Sequence, residues 1–246
     1  ANLLRVYPRS GGAAVLEWSY KDNGPKLAKE LDLEASARVG DILYFIGSHS
    51  NKKDGADAMA DRSHLFAVTF SGAGANTTFT HVGTFSALES QLVAWDAQNA
   101  HGRGADYFGL AASTAAGIAP ERVDGFSIEG MTTSPDDKSL WLAFRAPVTD
   151  SVSRHKALIV PVDNYNALIA NTATTASFGA PVELDLGGRG IRSIDKGSDG
   201  RYLIIAGPSA GSSSLVDRSF ALFTWDGKAS STPVELDTDL DALRPQ

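Results

Sequence analysis

Three ionisable residues occupy matching positions in three repeated segments of the chain: Glu34, Glu129 and Arg192. Each lies in a short segment that leads into a longer apolar run. Two carboxylates and a guanidinium that converge on one point can hold a phosphate, a sugar or a divalent cation. The reason is that a guanidinium binds acid oxygens in pairs, whereas carboxylates bind hard cations. The recurrence therefore predicts one polar site shared by the three segments.

Three further polar residues are expected near this site, because they lie at or close to the ends of the longer runs: Ser48, His49 and Arg145. An imidazole there can act as a general acid or base, and a second guanidinium can help to clamp an anion. The predicted roles are ligand binding for Ser48, Arg145 and Arg192, and catalysis for Glu34, His49 and Glu129.

Glu34 and Glu129 are also the predicted ligands of a metal ion. The chain has no cysteine, which excludes a thiolate site, and its five histidines form neither an HExxH motif nor an i, i+4 pair. Carboxylate ligands without thiolates favour a hard cation such as Ca²⁺ over Zn²⁺. Ca²⁺ is therefore the cofactor to which the residues point.

The same residues also have a purely structural interpretation. Glutamate and arginine on neighbouring buried strands often pair with each other, which satisfies their charges and locks the strands together. If Glu129 and Arg145 pair below the surface, a hydrolase loses the site that it needs. The sequence leaves both interpretations open.

The elements that must position these residues are short strands. Apolar residues cluster in runs of five to eight, separated by Gly, Asp, Asn, Ser and Pro, which is typical of strands joined by tight turns. The clearest predicted strands are Leu3–Tyr7, Ala14–Trp18, Ile42–Gly47, His64–Phe70, Ser139–Phe144, Lys156–Pro161, Arg201–Ala206 and Phe220–Trp225.

These strands recur in units, and a fourth strand follows in the last two units, at Pro181–Leu184 and Pro233–Leu236. Four strands in about 40–50 residues are typical of a β-propeller blade. We therefore predict an all-β chain, residues 1–246 forming one propeller domain with about three full blades. Asn2–Tyr20 would add a half-blade that nothing completes. We accordingly expect an incomplete ring that needs strands from further sequence or from a second polypeptide.

One helical insertion is predicted near residues 86–118. Leu88, Gln91, Leu92 and Trp95 fall on one helical face at i, i+3, i+4 and i+7. The insertion either packs on one side of the sheets or forms a lid over a ligand.

Two segments carry a family resemblance: Phe126-Ser-Ile-Glu-Gly130, and a strand that ends in Arg145-Ala-Pro-Val148. In these segments the chain resembles a bacterial β-propeller family of unknown function. That family is similar to the propellers described as having esterase-like activity of phytase. Weaker matches extend from about Asn2 to Asp226. The resemblance implies a five- or six-bladed ring and no established reaction.

Charge and composition narrow the range of partners. Lys plus Arg total 22 and Asp plus Glu 29, a formal charge of −7 without any basic run, which argues against nucleic acid and anionic membranes. The longest apolar runs are far shorter than the roughly 20 residues of a membrane helix. The start at Ala1 and the absence of cysteine suggest a secreted or periplasmic protein.

We therefore expect a binding or scaffold propeller that recognises a small anionic or sugar-like ligand, or a protein partner, at its central channel. The alternative is a metal-assisted phosphoester or carboxylester hydrolase. In that alternative the two glutamates hold the cation, the two arginines clamp the anion, and His49 acts as acid or base. Binding is preferred because the sequence shows no pair of nucleophile and base.

Overall fold

A computed structural model describes residues 2–55, 59–149, 155–210, 220–238 and 240. Four antiparallel sheets and a few short helices make up this part of the chain. The strands are β1 (Leu3–Val6), β2 (Leu16–Ser19), β3 (Leu33–Val39), β4 (Ile42–Gly47), β5 (Leu65–Ser71), β6 (Thr78–Phe85), β7 (Ser127–Thr133), β8 (Leu140–Ala146), β9 (Lys156–Val162), β10 (Val182–Asp185), β11 (Gly190–Lys196), β12 (Tyr202–Gly207), β13 (Ala221–Trp225) and β14 (Val234–Leu236). The helices are α1 (Tyr20–Asn23), α2 (Leu88–Ala97), α3 (Leu110–Ser113) and α4 (Tyr165–Ile169), with 3₁₀ turns at Ala60–Arg62 and Gly74–Asn76.

Strands that are consecutive in the chain are neighbours in the sheets. β1 and β2 form an N-terminal hairpin, and the other strands form sheet A (β3 to β6), sheet B (β7 to β10) and sheet C (β11 to β14). Each four-stranded sheet is an up-and-down meander, as expected where short polar turns join apolar runs. The prediction of a mostly-β chain is confirmed, and so is each of the predicted strands, within a few residues at its ends.

The sheets stack face to face through three apolar layers. Leu4 and Trp18 of the hairpin pack on Phe66 and Val68 of sheet A. The opposite face of sheet A packs on sheet B, and the second face of sheet B packs on sheet C. The first strand of sheet B, β7, lies against the first strands of both neighbours, β3 and β11. Three first strands are thereby brought side by side, and these strands carry the predicted site.

The predicted helical insertion is confirmed at Leu88–Ala97. Leu88, Leu92 and Trp95 are buried in the layer between sheets A and B. The Gln91 side chain bonds to the backbone of residues 174 and 176. The helix therefore packs on the sheets, the first of the two arrangements considered above. The longest helix in the described ranges, α2, has 10 residues, whereas a membrane-spanning helix needs roughly 20 apolar ones.

Candidate functional site

The recurring residues Glu34, Glu129 and Arg192 each stand at a β-bulge in the first strand of their sheet. The pairing register passes over Glu34 in β3, over Glu129 in β7 and over Arg192 in β11. A bulge leaves one residue out of the ladder and redirects its side chain, and such bulges are frequent beside functional sites. The three strands thus present one ionisable side chain each from equivalent points.

The carboxylate of Glu129 is held between two guanidinium groups. Arg145 Nη1 donates to Oε1 at 3.0 Å, and Arg192 Nε lies 2.9 Å from Oε2. The Glu129 side chain is only 8% exposed, and the side chain of Arg192 is 27% exposed. Arg145 Nε also donates to the carbonyl oxygen of Ser209 at 3.1 Å. Because one buried negative charge faces two positive charges, the cluster carries an excess of positive charge.

Two glycines allow this cluster to form. Gly190, at the start of β11, lies so close to β8 that a Cβ there would collide with the carbonyl oxygen of Arg145. At Gly130 in β7, a Cβ would lie 3.0 Å from a methyl group of β11. Sheets B and C can approach closely only because these side chains are missing. Arg192 therefore reaches the Glu129 carboxylate from the neighbouring sheet.

Glu34 lies close to this cluster but does not pair with it. Among the described residues, its carboxylate has neither a hydrogen bond nor an ion pair. Burial raises the pKa of Glu34 to about 7, and the negative charges of Glu129 and Asp32 act in the same direction. Arg192 and Arg145 oppose this shift. Glu34 is therefore a carboxylate that exchanges its proton near neutral pH and still lacks a partner.

The side chain of Glu34 faces a cavity of about 490 Å³ between β3 and β11. Ser36, Ser193 and Asp195 contribute polar groups to the wall of this cavity. Its apolar lining includes Phe45, and several aliphatic side chains complete it. This volume falls within the range of roughly 300–1,000 Å³ that is usual for small-molecule sites.

Ser48 is engaged in the junction between sheets A and B. Its hydroxyl donates to Oδ2 of Asp32 at 2.7 Å and lies 2.8 Å from the hydroxyl of Ser50. Its carbonyl oxygen accepts a hydrogen bond from the backbone N–H of Ile128 at 3.0 Å. Among the contacts of the described residues, none joins Ser48 to the guanidinium pair, so its predicted part in ligand binding has no support.

His49 is buried rather than placed at the mouth of a channel. The residue is 1% exposed, and Nδ1 donates to the carbonyl oxygen of Gly47 at 2.9 Å. Burial lowers the pKa of His49 to about 4, and among the described residues Nε2 has no hydrogen-bond partner. The ring is thus neutral at pH 7 and shielded from solvent. These properties argue against the predicted role of His49 as acid or base.

The sequence reasoning missed a second polar cluster beside the first one. Nη1 of Arg62 donates to the hydroxyl of Ser50 at 2.9 Å and lies 3.3 Å from Oδ2 of Asp32. Asp32 stands two residues before Glu34, which was a usable signal. Nothing in the sequence marks Arg62, because a long loop separates it from its partners.

The residues present do not fit the predicted metal ion. Both carboxylate oxygens of Glu129 already face guanidinium groups, which repel a cation. Over the described residues, no group of three or more His, Asp and Glu side chains is arranged to hold a metal. Since Ca²⁺ takes six to eight oxygen ligands, Glu34 alone cannot supply such a site. The donor set suits an anion instead.

A model of the family described as protein of unknown function (DUF3616) matches residues 114–242, which is more than half of the chain. The match includes Glu129, Arg145 and Arg192 and leaves out Glu34. No curated protein matches the chain. The match agrees with the resemblance to a family of unknown function and gives no link to phytases or esterases.

Proposed function

Because the chain belongs to the family of proteins of unknown function DUF3616, whose description supplies no activity, we propose its function from the site itself. The protein binds a small anionic ligand at the Arg145–Arg192 pair. The ligand reaches the pair through the solvent-exposed edge of Arg192 and extends toward the cavity beside Glu34.

The observation that carries this proposal is the sharing of one carboxylate by two guanidinium groups. Glu129 cancels one of the two positive charges and fixes both side chains in place. In the part of the chain that the structure describes, the terminal nitrogens of Arg192 have no acceptor, whereas its Nε faces Glu129. Preorganised donors with an excess of positive charge favour a carboxylate or phosphate, since a guanidinium binds either one through two parallel bonds.

The hydrolase alternative is less well supported. Glu129 pairs below the surface with Arg145 through Oε1 and with Arg192 through Oε2, which leaves it no free oxygen for a cation or for a proton transfer. His49 is buried and neutral. A phytase-like or esterase-like activity and a secreted or periplasmic location remain predictions from the sequence.

We also propose that the hairpin and the three sheets are consecutive blades of a β-propeller. Two features support this arrangement: the first strands β3, β7 and β11 lie side by side, and each has its bulge at the same place. The bulge residues would then face a common axis, where propellers bind their ligands.

In such a ring, further strands must cover the outer face of sheet C. Leu203 and Ile205 of β12 are 46% and 37% exposed there, and Val234 of β14 is 57% exposed. The corresponding faces of sheets A and B are buried by the next sheet. We propose that strands of an additional polypeptide segment, or of a second chain, occupy this position.

The function is tested by following inorganic phosphate and D-glucuronate binding through NMR chemical shifts, for wild type and Arg192→Gln. The wild type should bind at least one of them saturably, and the variant should bind it about tenfold more weakly, the effect of losing one charged hydrogen bond. Arg201→Gln, which removes an exposed arginine just before β12, should change affinity less than twofold, a difference of about 0.4 kcal/mol.

Two results would overturn the anion-binding function. One is the absence of saturation by either anion to about 10 mM, where a binding free energy of only about −3 kcal/mol is still detectable. The other is equal affinity of the wild type and Arg192→Gln. The fold of each variant is checked by circular dichroism.

A further inference from the structure

We propose that Glu34 makes the site selective for acids that also carry hydroxyl groups, such as sugar acids and sugar phosphates. This inference rests on the anion-binding function proposed above. The arginine pair would take the acid group of the ligand, and Glu34 would accept hydrogen bonds from hydroxyls beside it.

The first support is the position of Glu34. It is the bulge residue of β3, and Coulombic interactions link it to both guanidinium groups. Among the described residues its carboxylate has no partner, whereas Glu129 at the equivalent bulge has two. Glu34 is exposed on β3, so its carboxylate oxygens are open to accept hydrogen bonds from a ligand.

The second support is the repulsion that Glu34 exerts on a simple anion. A ligand held by the arginines would bring its acid group near a like charge, which weakens its binding. A ligand hydroxyl between the two groups removes this penalty, because it donates to the Glu34 carboxylate. A site built to bond a hydroxyl rejects the analogue that lacks it. Glu34 therefore distinguishes hydroxylated acids from plain ones.

The third support is the mixed character of the cavity next to Glu34. Ser36, Ser193 and Asp195 are polar residues of its lining, and Phe45 and Met131 are apolar ones. A sugar ring has the same division, with hydroxyls around its edge and C–H groups on its faces. The cavity thus suits a ring of this kind better than a plain inorganic anion.

The test compares two pairs of probes, each with a hydroxylated sugar acid or sugar phosphate and a cyclohexane analogue that carries the same acid group without hydroxyls, with affinities measured by NMR titration. One pair is D-glucuronate and cyclohexanecarboxylate, and the other is α-D-glucose 1-phosphate and cyclohexyl phosphate. The wild type should prefer the hydroxylated member of at least one pair about tenfold, the effect of one charged hydrogen bond. The pair with the larger preference identifies the acid group.

The variant Glu34→Ala should bind the hydroxyl-free member at least as well as the wild type and lose most of the preference. Glu235→Ala, which alters an exposed glutamate of β14, should keep the preference. Equal wild-type affinities within both pairs, or an undiminished preference in Glu34→Ala, would overturn the role of Glu34 and leave anion binding intact. If the wild type binds none of the four probes, the anion-binding function itself fails.

Discussion

Glu34 and Glu129 are the same residue type at equivalent bulges, yet their surroundings give them opposite properties. Glu129 is neutralised by two arginines and serves to fix them. Glu34 has no partner among the described residues, and its pKa is raised to about 7. The difference arises because Arg145 comes from sheet B and Arg192 from sheet C, and both pair with the carboxylate of β7, the strand that lies against β3 and β11. The sequence showed the equivalence of the two positions, whereas the pairing depends on which sheets are adjacent.

The raised pKa of Glu34 makes the stability of the protein depend on pH. Between pH 4.5 and about 7 the unfolded chain releases a proton that folded Glu34 retains, so this group lowers stability as pH rises through that window. Glu34→Gln has no group that titrates at this position, so its stability does not fall in this window. Its melting temperature should match the wild type near pH 4.5, exceed it increasingly up to pH 7, and then keep a constant advantage.

Thermal unfolding followed by circular dichroism at several pH values between 4.5 and 8 measures this effect. Glu235→Gln provides the matched control, and its difference from the wild type should not vary with pH. A pH-independent difference between Glu34→Gln and the wild type would show that Glu34 titrates normally in the folded protein.

At the scale of the strand, the close contact of sheets B and C depends on Gly190 and Gly130. A methyl group at residue 190 would lie 1.9 Å from the carbonyl oxygen of Arg145, whereas a methyl group at residue 130 would lie 2.9 Å or more from the side-chain atoms of Ala143 and Ile194. Gly190→Ala should therefore cost more stability than Gly130→Ala, for which we expect about 1–3 kcal/mol.

Denaturant unfolding of the two variants measures which of them loses more stability, with Ser193→Ala, at an exposed residue of β11, as the control. Gly190→Ala should also weaken anion binding at any stability it retains, because it displaces Arg145. A Gly190→Ala protein as stable as Gly130→Ala would mean that the two sheets do not approach as closely as described.

Most strands were predictable from hydropathy and turn residues, but β6 was not. This strand alternates Thr and His with apolar residues, and both of its faces are partly exposed, so its sequence lacks a clear apolar run. The recurrence of Glu34, Glu129 and Arg192 was also readable, since each follows a comparable apolar residue. The burial of His49 could not be predicted from the sequence, because it follows from a backbone φ of 54° that turns the ring inward. The chain just before this turn packs tightly, since a Cβ at Gly47 would collide with the backbone carbonyl oxygens of Leu31 and Arg62.

At the scale of the whole molecule, the stacking of the sheets leaves one apolar face uncovered. The outer face of sheet C exposes Leu203, Ile205 and Val234. In sheets A and B the corresponding face is covered by the next sheet. An exposed apolar sheet face favours association. The chain alone should therefore form species larger than its monomer mass of 25.9 kDa as its concentration rises.

Light scattering coupled to gel filtration measures this association. The double variant Leu203→Lys, Ile205→Lys should remain monomeric with an unchanged melting temperature, because both side chains point away from the core. The comparison variant Thr224→Lys, which places a single charge on the same face at the position of β13 opposite Leu203, should give an intermediate result. A wild type that stays monomeric at all concentrations would contradict the proposed docking of further strands on sheet C.

The central claim, that the arginine pair is an anion-binding site, is tested most directly by a crystal structure of the protein saturated with D-glucuronate. We expect its carboxylate within about 3 Å of a guanidinium nitrogen of Arg145 or Arg192, with a ring hydroxyl on Glu34. A sugar acid bound elsewhere, with neither guanidinium group within hydrogen-bond distance of it, would contradict the account.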